Sequence, residues 1–249
     1  MPSFSDHFSS SAPSYASFRP GYPPELFAWL GSVAPDRHYV WDCGTGSGQA
    51  AVHLADHFER VVATDASVAQ LAHAPRRVGV QYAAMSAERC ALRDDSVGLV
   101  TVAQALHWFD QPAFFAEARR VLVARGMLAV WSYGLLTLHD ATLDDIIHRF
   151  HREAMGPYWP PERRLVDEGY RSLELPFEHV DAPSFAMHAD WTLVHLAGYL
   201  STWSAVQRAR SVTGSDPLPG VVGALRAAWG RDEEVRRIEW PMTLRAGRV

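Results

Sequence analysis

Apolar and polar residues alternate along the chain in blocks that predict a doubly wound α/β fold. Short β-forming runs recur, and apolar residues at helical spacing follow the first of them, at Ala51, Leu54, Ala55 and Phe58. A strand, a glycine turn and a helix in this order form the first unit of such a sheet. The predicted parallel strands cover residues 39–42, 61–65, 78–84, 97–103 and 127–133.

The pattern changes character after the fifth strand. A helical spacing through Leu143, Ile146 and Phe150 leads into a proline-rich aromatic loop. We find no repeat or low-complexity linker, which favours an insertion into one domain over an independent second domain. Two further strands are predicted at 185–188 and 237–244. Two further helices are predicted between them, at 193–210 and 221–229.

The turn after the first strand carries the clearest chemical signal. Asp42 ends the strand, and Gly44, Gly46 and Gly48 follow at every second position. Glycines allow positive φ and let a ligand lie against the main chain, while the next helix directs free N–H groups towards that ligand. Because position 49 is Gln, the spacing departs from the G-x-G-x-x-G pattern of dinucleotide-binding folds.

Three local signals predict where helices begin and end. Ser47 can help to cap the helix after the glycine turn. Asp110 precedes Pro112, which predicts a helix that begins after the fourth strand. Gly126 follows Arg125, and this pair predicts a left-handed end to the same helix.

Polar residues follow the second and third predicted strands. Asp65 lies 17 residues beyond Gly48, where an acid accepts hydrogen bonds from ribose hydroxyls in nucleotide-binding folds. A solvated acid at a strand end is the alternative interpretation. Ala66 follows it, and the third strand leads to Ser86 and Ala87, which we expect beside an adenine ring, with Ser86 facing its exocyclic amine.

The fourth strand is apolar almost throughout, which predicts a central position because helices cover a parallel sheet on both faces. Ligands of an open α/β sheet bind beyond the carboxyl ends of its strands. This rule predicts that Gln104, His107 and Trp108 lie beside the reacting group. An aromatic cluster after a strand also occurs as plain core packing, so both interpretations stand.

Composition limits the classes of partner. The net charge is −5 and the pI about 6.2, which argues against the nucleic-acid backbone as the main partner. Cys43 and Cys90 form neither a disulfide framework nor a metal-binding spacing, and the 12 histidines are scattered. Without a signal peptide or a long apolar run, we expect a cytoplasmic protein that has no metal and no membrane partner.

Together these motifs resemble class I S-adenosylmethionine-dependent methyltransferases. The D-x-G-x-G-x-G run at 42–48 is similar to their motif I. Asp65, the Ser-Ala-Glu loop at 86–88, the Ala-Leu-His-Trp-Phe run at 105–109 and the turn at 125–126 follow in the family's order. The segment at 15–23 and the His-Trp-Phe tripeptide are similar to the methyltransferase type 11 branch, which includes relatives of trans-aconitate methyltransferase. Where this branch often has Arg-Pro-Gly-Gly, residues 123–126 read Val-Ala-Arg-Gly.

The resemblance implies a Rossmann-like sheet of seven strands, with the last strand antiparallel beside the fifth. It also implies a mostly helical cap after strand five. We expect one methyltransferase domain over 1–249. Its predicted parts are an N-terminal lid segment at 1–24, a cofactor-binding core at 25–134, a cap insertion at 135–180, and C-terminal helices and strands at 181–249.

The resemblance implies S-adenosylmethionine as cofactor and a small-molecule methyl acceptor. The segment with Tyr15 and Arg19 then forms a lid over the cofactor, or simply a lead-in that packs on the first helix. Arg19 could fork onto a carboxylate such as that of the methionine moiety. The expected cofactor residues are Tyr15, Arg19, Asp42, Gly44, Gly46, Gly48, Asp65, Ala66, Ser86, Ala87 and Gln104.

Aromatic residues of the second half provide candidate walls for the acceptor pocket, since such pockets are mainly apolar. Trp108, Trp131, Tyr133 and Trp159 are the expected acceptor residues. Tyr170, Tyr199 and Trp203 are further candidates, and we expect no more than half of these aromatic residues to contact the acceptor. The arginines at 163, 164 and 171 form either a solvated face or a carboxylate clamp.

Methyl transfer is an in-line displacement, for which an enzyme mainly positions the acceptor and excludes water. His107 is the catalytic candidate. It is a general base, with a pKa near neutral, if the acceptor is a hydroxyl, and an orienting group if the acceptor is a carboxylate. One alternative is an NAD-dependent oxidoreductase, although the glycine that this class would have near position 49 is absent. The other is a non-catalytic S-adenosylmethionine-binding protein. A monomer and a homodimer are both compatible with the sequence.

Overall fold

A twisted sheet runs through the centre of the computed structural model, which describes residues 18–249. In that part of the chain the sheet has eight strands, in the order β3-β2-β1-β4-β5-β8-β6, and β7 pairs with β8 outside this path. The strands are β1 Tyr39–Cys43, β2 Arg60–Asp65, β3 Val80–Ala84, β4 Val97–Ala103, β5 Leu122–Tyr133, β6 Glu178–Val180, β7 Ala186–Trp191 and β8 Arg236–Arg248.

Helices cover both faces of the sheet. They are α1 Pro24–Val33, α2 Gln49–Leu54, α3 Val68–Leu71, α4 Gln111–Val121, α5 Ala141–Arg149, α6 Arg163–Asp167, α7 Leu193–Ser201, α8 Ser204–Thr213 and α9 Leu218–Trp229. Short 3₁₀ turns occur at Leu106–Trp108 and Gly156–Tyr158, and a π-helical turn occurs at Phe150–Ala154.

The first five strands are parallel, and the chain reverses direction across the sheet between β1 and β4. This is the switch point at which the carboxyl ends of strands open a crevice. Alternate residues of β4 serve opposite faces: Leu99 packs with α1 and α2, while Val100 packs with α4. The predicted α/β class and the central position of the fourth strand are therefore confirmed.

The final strand lies antiparallel to β5, as the resemblance implies, with Met127 opposite Arg248 and Tyr133 opposite Met242. The described residues nevertheless contain eight strands, where the expectation was seven. The reason is the length of β8. Its first half, from Arg236, pairs with β7, and its second half pairs with β5 and β6.

Three local predictions were wrong. The helix expected at 193–210 is interrupted, because Trp203 has extended backbone and the Thr202 hydroxyl donates to the Tyr199 carbonyl instead. Helix α4 ends at Val121, before the Arg125-Gly126 turn. The left-handed residue of that turn is Arg125, with φ 63°, inside an irregularity of β5.

The helix after the glycine turn also begins differently from the prediction. Gly48 is the residue at the N-terminus of α2, and no side chain caps that helix. By contrast, Asp110 caps α4 as predicted, since its carboxylate accepts the Ala113 N–H, and Pro112 lies in the first turn.

Helix α7 illustrates how the helical layer is held to the sheet. Leu196 is fully buried in the larger apolar core, whereas Val194 on the same helix is 64% exposed. Burial of a leucine side chain stabilises a fold by roughly 1.5–3 kcal/mol, and a cavity adds to the cost when it is removed.

We expect Leu196→Ala to lower the free energy of unfolding by about 2–5 kcal/mol, because it removes buried methyl groups and leaves a cavity. Val194→Ala is the matched control and should change that free energy by less than about 0.5 kcal/mol. Urea unfolding followed by circular dichroism measures both. Equal effects of the two substitutions would contradict the assigned packing of α7.

Candidate active site

The glycine turn lies at the carboxyl end of β1, and all three of its glycines have positive φ: 68° at Gly44, 57° at Gly46 and 81° at Gly48. A Cβ on Gly44 would lie 2.6 Å from the Cβ of Ala105, and one on Gly48 would lie 2.5 Å from the Tyr82 hydroxyl. Among the described residues, a Cβ on Gly46 would meet only Gln70 Oε1, at 3.9 Å. Gly44 and Gly48 are therefore needed for packing, while no residue of 18–249 crowds Gly46.

Asp42 fixes the turn from below. Its carboxylate is fully buried and accepts hydrogen bonds from the hydroxyl of Thr45 in the turn, at 2.5 Å, and from the hydroxyl of Thr101 on β4, at 2.7 Å. Burial raises the pKa of Asp42 to about 6, although both hydrogen bonds act in the opposite direction. The structure thus gives Asp42 a supporting position beneath the turn.

Asp65 lies at the end of β2, next to the open part of the turn. One carboxylate oxygen accepts the Gly46 N–H at 2.8 Å, and the other accepts the Ser67 N–H at 2.8 Å. The adjacent Ala66 is exposed. Asp65, the predicted acid at the end of the second strand, is therefore in direct contact with Gly46 of the glycine turn.

The loop after β3 begins beside the same acid, because the Met85 N–H donates to the Asp65 carbonyl at 3.1 Å. In this loop the Ser86 hydroxyl donates to the Glu88 carboxylate, and Ala87 is buried. The Glu88 carboxylate also accepts the Asp110 N–H at 3.1 Å. The loop is thus held between the end of β3 and the start of α4.

A small cavity, the inner cavity, lies beyond the carboxyl ends of β4 and β5 and has a volume of about 70 Å³. Its aromatic walls are Trp108, Tyr133, Trp159, Tyr199 and Trp203. Its polar side chains are Arg19, Gln104, His107, Arg163 and Ser204. No Asp or Glu of the described residues lines it.

The inner cavity brings together six side chains that sequence patterns had singled out: Arg19, Gln104, His107, Trp108, Tyr133 and Trp159. Pro160, Val166 and Ser204 are lining residues that sequence reasoning missed, since no motif marks them. Arg163, Tyr199 and Trp203 were open candidates, and they also belong to its lining.

Arg19 joins distant parts of the chain at this cavity. Its guanidinium donates to the Tyr133 hydroxyl at 2.6 Å and to the Thr202 carbonyl at 3.3 Å. It also lies over the Tyr199 ring, 5.1 Å from the ring centre. The interruption between α7 and α8 therefore provides the carbonyl that Arg19 binds.

Gln104 ends β4 with an unusual backbone, φ 55°, in the left-handed region that non-glycine residues seldom adopt. Its N–H donates to the Trp131 carbonyl at 2.9 Å, and its side-chain amide donates to the Tyr133 carbonyl at 3.2 Å. Such strain persists only where surrounding contacts impose it, and it is typical of functional sites. Gln104 turns the chain from the sheet into the cavity wall.

His107 differs from the expected neutral-range base. Burial, together with the positive charge of Arg163, lowers its pKa to about 3. Its Nδ1 lies 3.1 Å from the Tyr170 hydroxyl, which can donate to it. From this network we assign the tautomer with hydrogen on Nε2, so that a neutral His107 offers a donor to the cavity.

Two expected site residues do not reach the cavity. Trp131 is fully buried in the core, where the rings of Tyr22 and Phe27 contact it edge-on, because its position on β5 faces the helical layer. Tyr170 is also fully buried, and its hydroxyl contacts His107 instead of lining the cavity. Tyr15 lies outside the described residues.

The methyltransferase domain family matches residues 41–130 of the chain. A protein of Dictyostelium discoideum that is named as a methyltransferase is 35% identical over 229 residues, which cover 91% of this chain and 87% of that protein. The chain belongs to the methyltransferase type 11 family. It is an S-adenosylmethionine-dependent methyltransferase, and neither the oxidoreductase nor the non-catalytic alternative is supported.

Two further proteins that are similar to this chain are also named as methyltransferases. A solved structure from Anaeromyxobacter dehalogenans, described as a type II methyltransferase, is 46% identical, covers 93% of this chain and 98% of that one, and has a TM-score of 0.86. A methyltransferase of Mycobacterium tuberculosis is 38% identical over 128 residues, about half of either protein. The narrower resemblance to trans-aconitate methyltransferase stays a prediction.

The cofactor of the family is S-adenosylmethionine, and the residues at the switch point fit it on two observations. Gly46 leaves its Cβ side open, so a ligand can lie against the main chain there. The Asp65 carboxylate lies at the adjacent strand end, where it can accept from ribose hydroxyls. Within residues 18–249 no helix is long and apolar enough to cross a membrane, and no group of three metal-ligating side chains occurs.

We expect Gly44→Ala and Gly46→Ala to fail in different ways. Gly44→Ala should lower the free energy of unfolding by about 2–4 kcal/mol, because positive φ and a clash with Ala105 add up. Gly46→Ala should lower it by only about 1–2 kcal/mol, yet weaken S-adenosylhomocysteine binding about tenfold or more, because its Cβ projects into the ligand space.

Gly214→Ala is the matched control, since Gly214 has φ 70° with no atom within 4 Å of an added Cβ. It should reproduce the backbone cost of Gly46→Ala without the loss of affinity. Urea unfolding and calorimetric titration with S-adenosylhomocysteine measure the two quantities. Unchanged affinity in Gly46→Ala would exclude the turn as the cofactor site.

Proposed function

We propose that the protein transfers the methyl group of S-adenosylmethionine to an oxygen atom, a carboxylate or a hydroxyl, of a small organic molecule in the cytoplasm. The observation that carries this proposal is the inner cavity at the carboxyl ends of β4 and β5, an aromatic pocket with hydrogen-bond donors and, among residues 18–249, no lining acid. When bound, the cofactor supplies an electrophilic methyl group on a positively charged sulfur.

The cofactor contacts are part of the same proposal. Asp65 would hold the ribose, and Gly46 would leave the main chain open to the ligand, with Gly44 and Gly48 shaping the turn and Asp42 supporting it from below. Beyond these, Ala66, Ser86 and Ala87 would contact the adenine side, and Arg19, Gln104 and Tyr15 the methionine side.

The size of the inner cavity supports a small acceptor. Its volume is about 70 Å³, and aromatic rings from β5, α7 and the 156–161 loop line it. A polymer chain would need an open groove. The net charge of −5 further disfavours a nucleic-acid substrate.

Charge favours an oxygen acceptor over an amine. Arg19 and Arg163 line the inner cavity, and no carboxylate of the described residues lines it to hold a cationic ammonium group. An alkylamine is protonated at neutral pH and would meet guanidinium groups there without an acid among the described lining residues. Carboxylate and neutral hydroxyl groups fit these donors.

Proton transfer favours a carboxylate over a hydroxyl. A hydroxyl must lose its proton, and an efficient general base has a pKa near the working pH. The pKa of His107 is lowered to about 3 by burial, so it is a poor base, while its Nε2–H is well suited to orient an acceptor oxygen. A carboxylate needs no base, and the aromatic rings need only exclude water and hold it in line.

Incubation of metabolite extracts with the protein and methyl-deuterated S-adenosylmethionine tests the proposal. We expect small molecules that gain one labelled methyl group, and mild alkali should remove it, because esters hydrolyse and ethers do not. An Asp65→Ala variant serves as the control that lacks the ribose contact. Label that appears only in the nucleic-acid or protein fraction, or on nitrogen, would contradict the proposal.

We expect His107→Gln to lower the methyl-transfer rate without changing the shape of its pH profile between about pH 5 and 8. A group whose pKa is near 3 stays neutral over this range, so it contributes no titration. His107→Phe should lose more activity, chiefly as a higher KM, because it removes the donor. A rising limb near pH 6–7 that disappears in His107→Gln would establish a general base instead.

A further inference from the structure

A second depression, the outer cleft, adjoins the inner cavity and has a volume of about 350 Å³. The two share Trp159, Pro160 and Arg163 as a common wall. Arg163 lies over the Trp159 ring, 4.7 Å from its centre, so this wall consists of one aromatic side chain covered by one guanidinium group.

The outer cleft is cationic. Arg152, Arg163 and Arg164 line it, and Asp167 is the acid among its lining residues in the described chain. Asp167 already accepts from Arg163 at 2.9 Å. Arg164 pairs with Glu168 at 3.4 Å, whereas Arg152 is exposed and has no ion pair within residues 18–249. The excess of positive charge in the cleft therefore comes from Arg152.

A buried polar side chain also lines the outer cleft. His151 is 8% exposed, and its Nε2 is buried with no hydrogen-bond partner among the described residues. Its ring packs between Trp159 and Trp203, in the π-helical turn that follows α5. Buried polar groups are rarely left unpaired, and π-helical turns are frequent at functional sites.

Burial and the nearby charge of Arg163 keep His151 uncharged, with a pKa lowered to about 4. A neutral imidazole can donate or accept a hydrogen bond at Nε2. An anionic oxygen in the outer cleft would supply the missing partner. It would also offset the charge of Arg152, since Arg163 and Arg164 each pair with an acid.

The inner cavity is smaller than the outer cleft, and Trp159 lies between them, so an acceptor that outgrows the inner cavity would extend past Trp159. We propose that the outer cleft binds a second anionic group of the methyl acceptor. The acceptor is then an elongated molecule with an anionic oxygen group at each end and an apolar middle that packs on Trp159. This inference rests on the proposed function, because it takes the inner cavity as the site of the reacting end.

Straight-chain α,ω-dicarboxylates of increasing length, titrated calorimetrically into the full chain with S-adenosylhomocysteine present, test the proposal. Affinity should pass through a maximum at one chain length. At that length the dicarboxylate should bind about tenfold or more tightly than the monocarboxylate, since a charged hydrogen-bonded contact is gained. A parallel series of ω-phosphonocarboxylates tells whether the distal group is a carboxylate or a phosphate, and an optimum in either series supports the subsite.

Arg152→Gln combined with Arg164→Gln should abolish the advantage of two anionic ends while leaving monocarboxylate affinity unchanged. Both side chains are exposed, so the fold should persist, and each single variant should show part of the loss. Arg171→Gln is the matched control, because Arg171 is an exposed arginine that lines neither space. It should retain the full advantage.

Absence of a length optimum, or an advantage that survives in the double variant, would overturn the proposal. These binding measurements do not depend on turnover. If methyl esters never form but the length optimum is present and sensitive to Arg152 and Arg164, the proposed reaction fails and the two-ended subsite stands. If esters form from monocarboxylates with no optimum, the subsite fails and the reaction stands.

Discussion

The buried carboxylate of Asp42 is the contact on which the candidate site depends. It binds the hydroxyl of Thr45 in the glycine turn and that of Thr101 on the central strand β4, and so fixes the turn relative to the strand that leads to His107. Burial makes the charged form costly, as the raised pKa shows. The buried carboxylate lies at the carboxyl ends of β1 and β4, where the crevice opens.

Much of the parallel half could be predicted because its signals are local. Each apolar strand, the run of alternate glycines and the acid at the end of β2 is recognisable from a few consecutive residues, and the order of the motifs is retained in the structure. The interruption of the helix at Thr202 and Trp203 could not be predicted, since apolar spacing continues across it. A distant segment contacts the chain at this point, since Arg19, nearly two hundred residues away in the chain, donates to the Thr202 carbonyl.

The lining of the inner cavity likewise combines residues that local signals predict with residues that only distant contacts bring there. Gln104, His107 and Trp108 were predicted because they follow one strand, whereas the contributions of Arg163, Tyr199 and Trp203 require the whole helical layer to be in place. Trp131 is an aromatic residue of β5, like Tyr133 two residues further along, yet Trp131 lies in the core. The pKa of His107 is likewise a property of burial and of Arg163, neither of which a motif reveals.

The long strand β8 has a consequence for how the protein can vary. Its 13 residues run as one ribbon along β7 and then along β5 and β6, so both halves of the molecule share a single alternation of inward and outward side chains. Deletion of one residue midway would turn every later side chain to the opposite face. Changes of chain length are therefore better tolerated in the loops around the inner cavity than within β8.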